Sequence, residues 1–439
     1  MRRPWIPILV LLPLAAASAR DSLRQDAPHR ESLQEFLKRL RAHQAGQVSQ
    51  LKTGFDSILK TMESDALARR LEALEQARTR LVALGPEAAP LLAAELDPGV
   101  EATDALKLRA LYLVRALQDL ASPALTDQLV EQAQKGSIEG RKNAIAVLAS
   151  SPEPVRAAPV LVGIVKQKTP ELFDAALGAL AHLDTPEADK TLGELLADAD
   201  PVSVRATLLA LAGARNARLA PRLLRIVEVP RDAVQYVDAL LHFYTHVPEA
   251  ADKHHVLALL KLAQDFSPPP EMRARILDAI PVLCDKLDAD QKRVLKELGE
   301  SPTKDVKEAA LVVLVLNGEK SARKDLFADV EIQIDRNKNY AQNYETRARL
   351  LYRIGEYRDA IRDYQTAIRL SANDFRAQPE QAYIGLARCQ MQTGKLKEAK
   401  ETLEKAPISL KELQQLAKEP VFQKLVENPK YRGVFRLDG

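Results

Sequence analysis

The sequence predicts an all-α fold, an alpha-alpha superhelix or solenoid of repeated helix pairs, from two observations. The first is composition, since the 439 residues are rich in leucine and alanine and include only 5% aromatic residues and 17 glycines. Such a composition favours helices over strands. The second is a helix-pair pattern that recurs along most of the chain. A chain of this length also exceeds one compact core, which fits a solenoid or several domains.

The stretch 183–212 shows the repeating unit most clearly. Thr185-Pro186 and Asp200-Pro201 each place a capping side chain before a proline, and proline suits the first turn of a helix. Apolar residues follow each proline at the i, i+3, i+4, i+7 spacing of one helix face. Two helices this short cannot bury enough apolar surface alone, so they need neighbours of the same kind.

Similar capping dipeptides predict helix starts along the whole array. They are Ser122-Pro123, Ser151-Pro152, Thr169-Pro170, Thr185-Pro186, Asp200-Pro201, Ser267-Pro268 and Ser301-Pro302. The second helix of each pair carries a comparable position at steps of 30 to 38 residues. It is occupied by Arg109, Arg141, Phe173, Arg205, Gln235, Arg273 and Lys307.

This array resembles HEAT repeats. The segment 85–92, GPEAAPLL, matches the proline-containing start of the family's first helix. Asp305 and Lys307 match the family's Asp-x-Val-Arg turn, and Asp200 and Arg205 match it with the aspartate displaced. In the family, this turn links neighbouring repeats through a ladder of charged contacts. The resemblance implies such a ladder, although Phe173 and Gln235 interrupt it.

A second pattern, near the end of the chain, looks like tetratricopeptide repeats (TPR). The first unit comprises Tyr344, Ala348, Leu351, Gly355, Tyr357, Ala360, Tyr364 and Ala367, and the second Tyr383, Leu386, Ala387, Gly394, Leu396, Ala399, Leu403 and Ala406. Small residues such as Ala360 and Ala387 let helices cross closely. The family proline of the first unit is Ala372 here.

These patterns divide the chain into six predicted segments. They are a signal peptide at 1–19, an N-terminal helical segment at 20–65, a HEAT-like array at 66–318, a helical connector at 319–340, TPR repeats at 341–406 and a C-terminal capping segment at 407–439. The capping segment is similar to the end of many bacterial TPR proteins, which suggests that it covers the last repeat.

The N-terminus has the layout of a secretory signal. Arg2 and Arg3 precede an apolar run from Trp5 to Ala17, and Ala17-Ser18-Ala19 fits a cleavage site for small residues. We therefore predict export to a bacterial cell envelope, as a periplasmic or secreted protein. The alternative is a retained anchor and a membrane-tethered assembly factor, although the run is short for a span.

The net charge argues against two classes of partner, and the two cysteines argue against a disulfide. The formal net charge is +3 without a long basic run, which predicts no nucleic-acid partner and no membrane binding after signal cleavage. Cys284 and Cys389 lie in separate predicted helices, and we interpret both as small buried side chains rather than a disulfide.

Four of the seven histidines lie close together, at His242, His246, His254 and His255. His242 and His246 are four residues apart, a spacing that lets two imidazoles reach one metal ion. Pro248 indicates that the helix ends near His246, where an imidazole suits the terminal carbonyls. We therefore predict no metal site, and we keep His242 and His246 as the alternative.

The sequence shows no catalytic residues and no cofactor motif. Gly-x-Ser-x-Gly, Walker-type and GxGxxG sequences are missing, and so are the His-Glu dipeptides of HEAT-like iron hydroxylases. We predict a non-enzymatic scaffold that binds protein or peptide partners on concave helical faces. A metal-binding or enzymatic protein that uses the stretch His242–His255 is the alternative.

Three residues of the first TPR unit are candidates for partner binding: Tyr340, Arg349 and Tyr352. Tyrosine offers a large contact area at a low entropic cost. Some TPR domains hold a peptide carboxylate with a lysine and an asparagine, but here Glu345 and Arg349 occupy those positions. Capture of a C-terminal carboxylate is therefore not expected.

Overall fold

The computed structural model describes residues 33–198, 200–229, 233–372 and 379–436. The regular secondary structure of these residues is helical throughout, without a strand, so the all-α prediction is confirmed. The chain forms two compact units, 1–153 and 154–439, which divide within the predicted HEAT-like array. The predicted signal peptide lies outside the described residues.

Unit 1 contains six described helices: α1 Leu33–Leu67, α2 Leu71–Ala83, α3 Ala89–Ala94, α4 Asp104–Leu120, α5 Thr126–Gln134 and α6 Ile138–Leu148. Helix α1 is continuous over 35 residues, through Gly46 and Gly54. It packs on α2 and α4 and buries Phe55 and Met62 among the core residues of this unit.

Unit 2 begins with helix pairs: α7 Pro154–Gln167, α8 Pro170–His182, α9 Pro186–Leu196, α10 Pro201–Gly213, α11 Ala220–Val227, α12 Val237–His246, α13 Lys253–Gln264, α14 Pro270–Leu283, α15 Ala289–Gly299 and α16 Lys304–Leu316. The first helices α7, α9, α11, α13 and α15 pack in one row, and the second helices α8, α10, α12, α14 and α16 pack in another. This two-row stacking is the superhelical repeat arrangement that the sequence predicted.

The rest of unit 2 comprises α17 Lys320–Arg336, α18 Ala341–Arg353, α19 Tyr357–Ser371, α20 Glu380–Gln392, α21 Leu396–Lys405, α22 Leu410–Leu416 and α23 Gln423–Glu427. Gly355 and Gly394 turn the chain between the helices of the two TPR units with φ of +81° and +77°, a conformation that favours glycine. After α21 the chain folds back, and Phe422 and Phe435 are fully buried against side chains of α20 and α21.

Three of the seven capping dipeptides, at Thr169, Thr185 and Asp200, begin an α-helix at their proline as predicted, and Ser122-Pro123 begins a 3-10 turn before α5. Thr185 and Asp200 accept backbone N–H groups of the first turn, as predicted. The helices after Ser151, Ser267 and Ser301 begin two residues later than the proline of each dipeptide. The hydroxyl oxygens of Ser151 and Ser301 instead accept the backbone N–H two residues further on, which forms a local turn before the helix.

Two arginines at the repeated position, Arg141 and Arg273, make their contacts within their own repeat. Nε of Arg141 donates to the carbonyl of Ala133 at 3.1 Å, and Nε of Arg273 donates to Ala263 at 2.6 Å. Both carbonyls belong to the last turn of the preceding helix, where backbone acceptors have no partner within the helix. The expectation of a charged ladder between repeats is therefore wrong at these two positions. Gln235 lies in a 3-10 turn before α12 rather than in a helix.

Polar side chains make many of the contacts between successive repeats. Each donates to a backbone carbonyl one repeat earlier: Gln132 to Ala93, Asn143 to Leu96, Asn216 to Ala181, His255 to Ala220 and Gln291 to Lys253, at 2.7–2.9 Å. His255 and Gln291 share one further feature, since each closes a capping box with an aspartate three residues earlier. These bonds fix the stagger of neighbouring repeats. A charged side chain adds to them, since Arg218 donates to the carbonyl of Leu183 at 2.7 Å and pairs with Asp184 and Asp189.

Both cysteines are free. Cys389 is buried in α20, as predicted, whereas Cys284 is only half-buried and follows the end of α14 in extended backbone. Among the described residues, no helix is both long enough and apolar enough to cross a bilayer.

Candidate functional site

Two of the three predicted partner-binding residues share one face of α18. Arg349 and Tyr352 are three residues apart, so their side chains emerge on the same side of the helix. The Arg349 side chain is half exposed, and the Tyr352 ring is half-buried beside Tyr357, with 5.5 Å between ring centroids. Tyr340 is half exposed as the N-cap residue of α18, about 18 Å along the helix from Tyr352.

Two arginines of α18 join the TPR units to the helix pairs before them. Nη2 of Arg349 donates to Oε2 of Glu308 in α16 at 3.1 Å. Arg353, one turn further along α18, forms an ion pair with Asp278 in α14. The carboxyl of Glu308 is mostly buried and the Asp278 side chain is half exposed. The exposed side of α18 therefore borders helices α14 and α16, to which these two ion pairs join it.

A third arginine occupies the matching position of the second TPR unit. Arg388 in α20 follows Arg349 by 39 residues, the same interval that separates the two turn glycines. Its guanidinium contacts both carboxylate oxygens of Glu419, at 3.0 and 2.7 Å. Sequence reasoning missed Arg353 and Arg388. The repeat spacing would have identified Arg388, whereas its partner depends on how the tail folds back.

We refer to this surface as the arginine face, defined by Arg349, Arg353 and Arg388 with their partners Glu308, Asp278 and Glu419. Side chains beside it are partly withdrawn from water. Burial raises the pKa of the Glu345 carboxyl, although a hydrogen bond from Gln342 and the charge of Arg349 act against this shift. Burial also raises the pKa of Tyr352. Polar contacts made here are less screened than on an open helix.

The ion pairs of the arginine face are suited to exchange. Each includes at least one side chain that is a third or more exposed, and such pairs stabilise a fold by only about 0.2–1 kcal/mol each. A partner carboxylate could replace Asp278 or Glu419, whose carboxylates can return to water, whereas the mostly buried Glu308 would keep only its pair with Lys304. Arginine also offers planar, two-point hydrogen bonding to a carboxylate. The face can therefore recognise acidic groups on a partner.

The histidines do not form a metal-binding group in the described part of the chain, where no three His, Cys, Asp or Glu side chains come together in that way. His242 and His246 lie on one side of α12 with ring centroids 4.0 Å apart. Nδ1 of His246 is 2.8 Å from the carbonyl oxygen of His242, which satisfies a carbonyl of the last helical turn. His182 repeats this arrangement with Gly178 at the end of α8.

His254 and His255 differ sharply in their surroundings. His254 is exposed, whereas His255 is buried with 4% of its surface accessible. Nδ1 of His255 is 2.7 Å from the carboxylate of Asp252, and Nε2 is 2.9 Å from the carbonyl oxygen of Ala220. Both ring nitrogens of His255 therefore serve the structure of the repeat stack, a role that the sequence analysis did not assign.

Models of two repeat families match the sequence. HEAT repeats match residues 122–212, and the tetratricopeptide repeat matches residues 351–417. Both resemblances drawn from the sequence are therefore confirmed for these parts of the chain. Folds of this kind are typical of scaffolds that bind other proteins.

Comparison with curated proteins finds no match. Among solved structures, the crystal structure of Kap121p aligns with a TM-score of 0.40 and 14% identity, over 99% of this chain and 52% of that one. The karyopherin Kap121p bound to the extreme C-terminus of the protein phosphatase Cdc14p gives 0.39 and 13%, over 93% and 52%. This chain spans about half the length of these structures. With TM-scores below 0.5, they carry no argument about its partners.

Proposed function

We propose that this protein is an exported, non-catalytic scaffold that binds a protein partner on the arginine face. One observation carries the proposal: three arginines from two successive TPR units line one surface, and each is held by an ion pair that a partner can replace. The half-buried Tyr352 beside them adds a large contact surface. The chain's mixed charge supports neither a nucleic-acid partner nor membrane binding once the signal is removed.

Binding would proceed by exchange of acidic groups. A partner carboxylate displaces Glu419 from Arg388, which makes two hydrogen bonds to it, or Glu308 from Arg349, which makes one, and each guanidinium then pairs with the partner instead. The rigid stack of helices holds the arginines in place before the partner arrives, which lowers the entropic cost of association. Specificity then depends on the spacing of acidic groups along the partner.

Capture of partners by charge-reversed variants tests this proposal. The full mature chain is purified with an affinity tag from its native envelope fraction, as wild type and as the Arg349→Glu/Arg388→Glu variant. Co-purifying proteins are quantified by mass spectrometry. We expect at least one protein to fall about tenfold or more with the variant, since two favourable contacts become repulsive.

Arg293→Glu is the matched control. Arg293 is 70% exposed on α15 and forms a 3.2 Å ion pair with Asp290, so its reversal also breaks a surface pair, but away from the arginine face. The control should retain the partner. If the double variant keeps its helical circular dichroism and still captures every protein that the wild type captures, the arginine face is not the binding surface.

Export is a separate part of the proposal and has its own test. It rests on the basic residues and apolar run of segment 1–19. We expect mass spectrometry of the native protein to give Arg20 as its first residue. A native chain that begins at Met1 and sediments with membranes would instead support the tethered alternative.

A further inference from the structure

A groove of about 790 Å³ lies between α9 and α11, in the row of first helices. The groove is lined by residues of α9, α10 and α11. Leu196, Val204 and Ile226 line the groove together with Val229, which is 47% exposed. The volume falls in the usual range of ligand pockets, about 300–1,000 Å³.

Two arginines of α11 line this groove without an ion pair. Across the described residues, no carboxylate lies within salt-bridge distance of Arg222 or Arg225, whereas nine other arginines of this unit form ion pairs. The carboxylate of Asp198, which also lines the groove, is occupied. It accepts from the backbone N–H of Asp200 at 3.2 Å and from Lys168 at 3.2 Å.

A glycine in α9 allows one guanidinium to lie against the helix. Gly193 is buried, and a Cβ added to it would lie 2.8 Å from Nε of Arg222 and closer still to Cζ. Alanine at this position would therefore force the guanidinium to move. Because residue 193 has no side chain, the positively charged guanidinium of Arg222 can lie against α9 in the groove.

We propose that this groove binds an extended peptide segment with two acidic side chains separated by one residue. Arg222 and Arg225 are three residues apart on one helix, about 5–6 Å between Cβ atoms. Side chains two residues apart on an extended chain point to the same side, about 6.6 Å apart. Each carboxylate of the segment thus meets one guanidinium, and the apolar wall covers the neighbouring residues. This site does not depend on the arginine face.

Fluorescence anisotropy with the full mature chain tests the proposal. The probes are a labelled eight-residue peptide that contains Leu-Glu-Leu-Glu-Leu and an identical peptide with glutamine in place of both glutamates. We expect the acidic peptide to bind about tenfold more tightly, because two ion pairs at this exposure are worth about that factor. Arg222→Ala/Arg225→Ala should remove the preference, and Gly193→Ala should weaken it.

Arg293→Ala is the control and should bind like the wild type, since Arg293 lies on α15. Equal binding of the two peptides, or an unchanged preference in Arg222→Ala/Arg225→Ala, would overturn the proposal. Displacement of the acidic peptide by millimolar inorganic phosphate would overturn it as well, since the groove would then be a general anion site. The variants Arg349→Glu/Arg388→Glu should leave the peptide preference unchanged, which separates this result from the proposed function.

Discussion

Substitution of Gly385 by alanine should destabilise the TPR region, because the ring of Tyr364 lies directly against this glycine. A Cβ at position 385 would lie 2.5 Å from Oη and 2.6 Å from Cε1 of Tyr364, well inside van der Waals contact. The tyrosine is 5% exposed, so its ring cannot rotate into solvent. Either the ring or the crossing of α19 and α20 has to shift.

The expected magnitude follows from two opposing effects. An extra methyl group in a packed core costs about 1–3 kcal/mol. Alanine in a helix interior, however, is favoured over glycine by about 0.5–1 kcal/mol. The free energy of unfolding should therefore fall by about 1–2 kcal/mol. Urea denaturation followed by circular dichroism measures this change, and hydrogen exchange in α19–α21 shows whether it is local.

Gly163→Ala provides the matched control. Gly163 lies inside α7, and a Cβ there would have no atom within 4 Å, so this variant should gain about 0.5–1 kcal/mol. In a double-mutant cycle, Tyr364→Leu should relieve part of the cost of Gly385→Ala. If Gly385→Ala stabilises the chain as Gly163→Ala does, the close packing of α19 on α20 is refuted.

Three further predictions follow from buried side chains. Phe435→Ala should cost about 3–5 kcal/mol, measured by urea denaturation, because Phe435 is fully buried where the tail covers α20 and α21. His255→Ala should cost about 1–3 kcal/mol in the same assay, since it leaves the Ala220 carbonyl without its donor. Burial raises the pKa of Cys389 to about 12, so its thiolate at pH 8 is about a thousandfold scarcer than that of an ordinary thiol. A thiol reagent should therefore label Cys284 first and Cys389 only on unfolding.

Neighbouring exposed residues provide the controls. Leu410→Ala in the tail and His254→Ala beside His255 should each change stability by less than about 0.5 kcal/mol. Equal losses in His254→Ala and His255→Ala would contradict the role of His255 between repeats. Rapid labelling of Cys389 in the folded chain would contradict its burial.

The helix starts show when a local sequence signal is enough to determine where a helix begins. At Thr185 and Asp200 the capping side chain and the following proline are enough, because every contact involved lies within four residues. At Ser151 and Ser301 the same dipeptide forms a turn, and the helix begins later. The dipeptide permits both outcomes locally, and the packing of the following helix decides between them.

The contacts of the candidate binding residues, in contrast, join residues that are far apart in the sequence and could not be predicted from it. Arg349 and Tyr352 could be placed on one helix face by their spacing, and Arg388 by the repeat interval. The pairing of Arg353 with Asp278 spans 75 residues, and no periodicity points to it. His255 likewise looked like one member of a histidine cluster, but its ring nitrogens are committed to Asp252 and to a carbonyl of the previous repeat.

The sequence by itself determined the helical class, the two kinds of repeat, and the turn glycines, since each depends on periodicity and on backbone preferences that act over a few residues. The tertiary structure alone decided which charges are paired, which histidine is buried, and where a groove lies beside Arg222 and Arg225. Those properties depend on side chains that are far apart in the chain. Only the packing of successive repeats brings them within a few ångströms of each other.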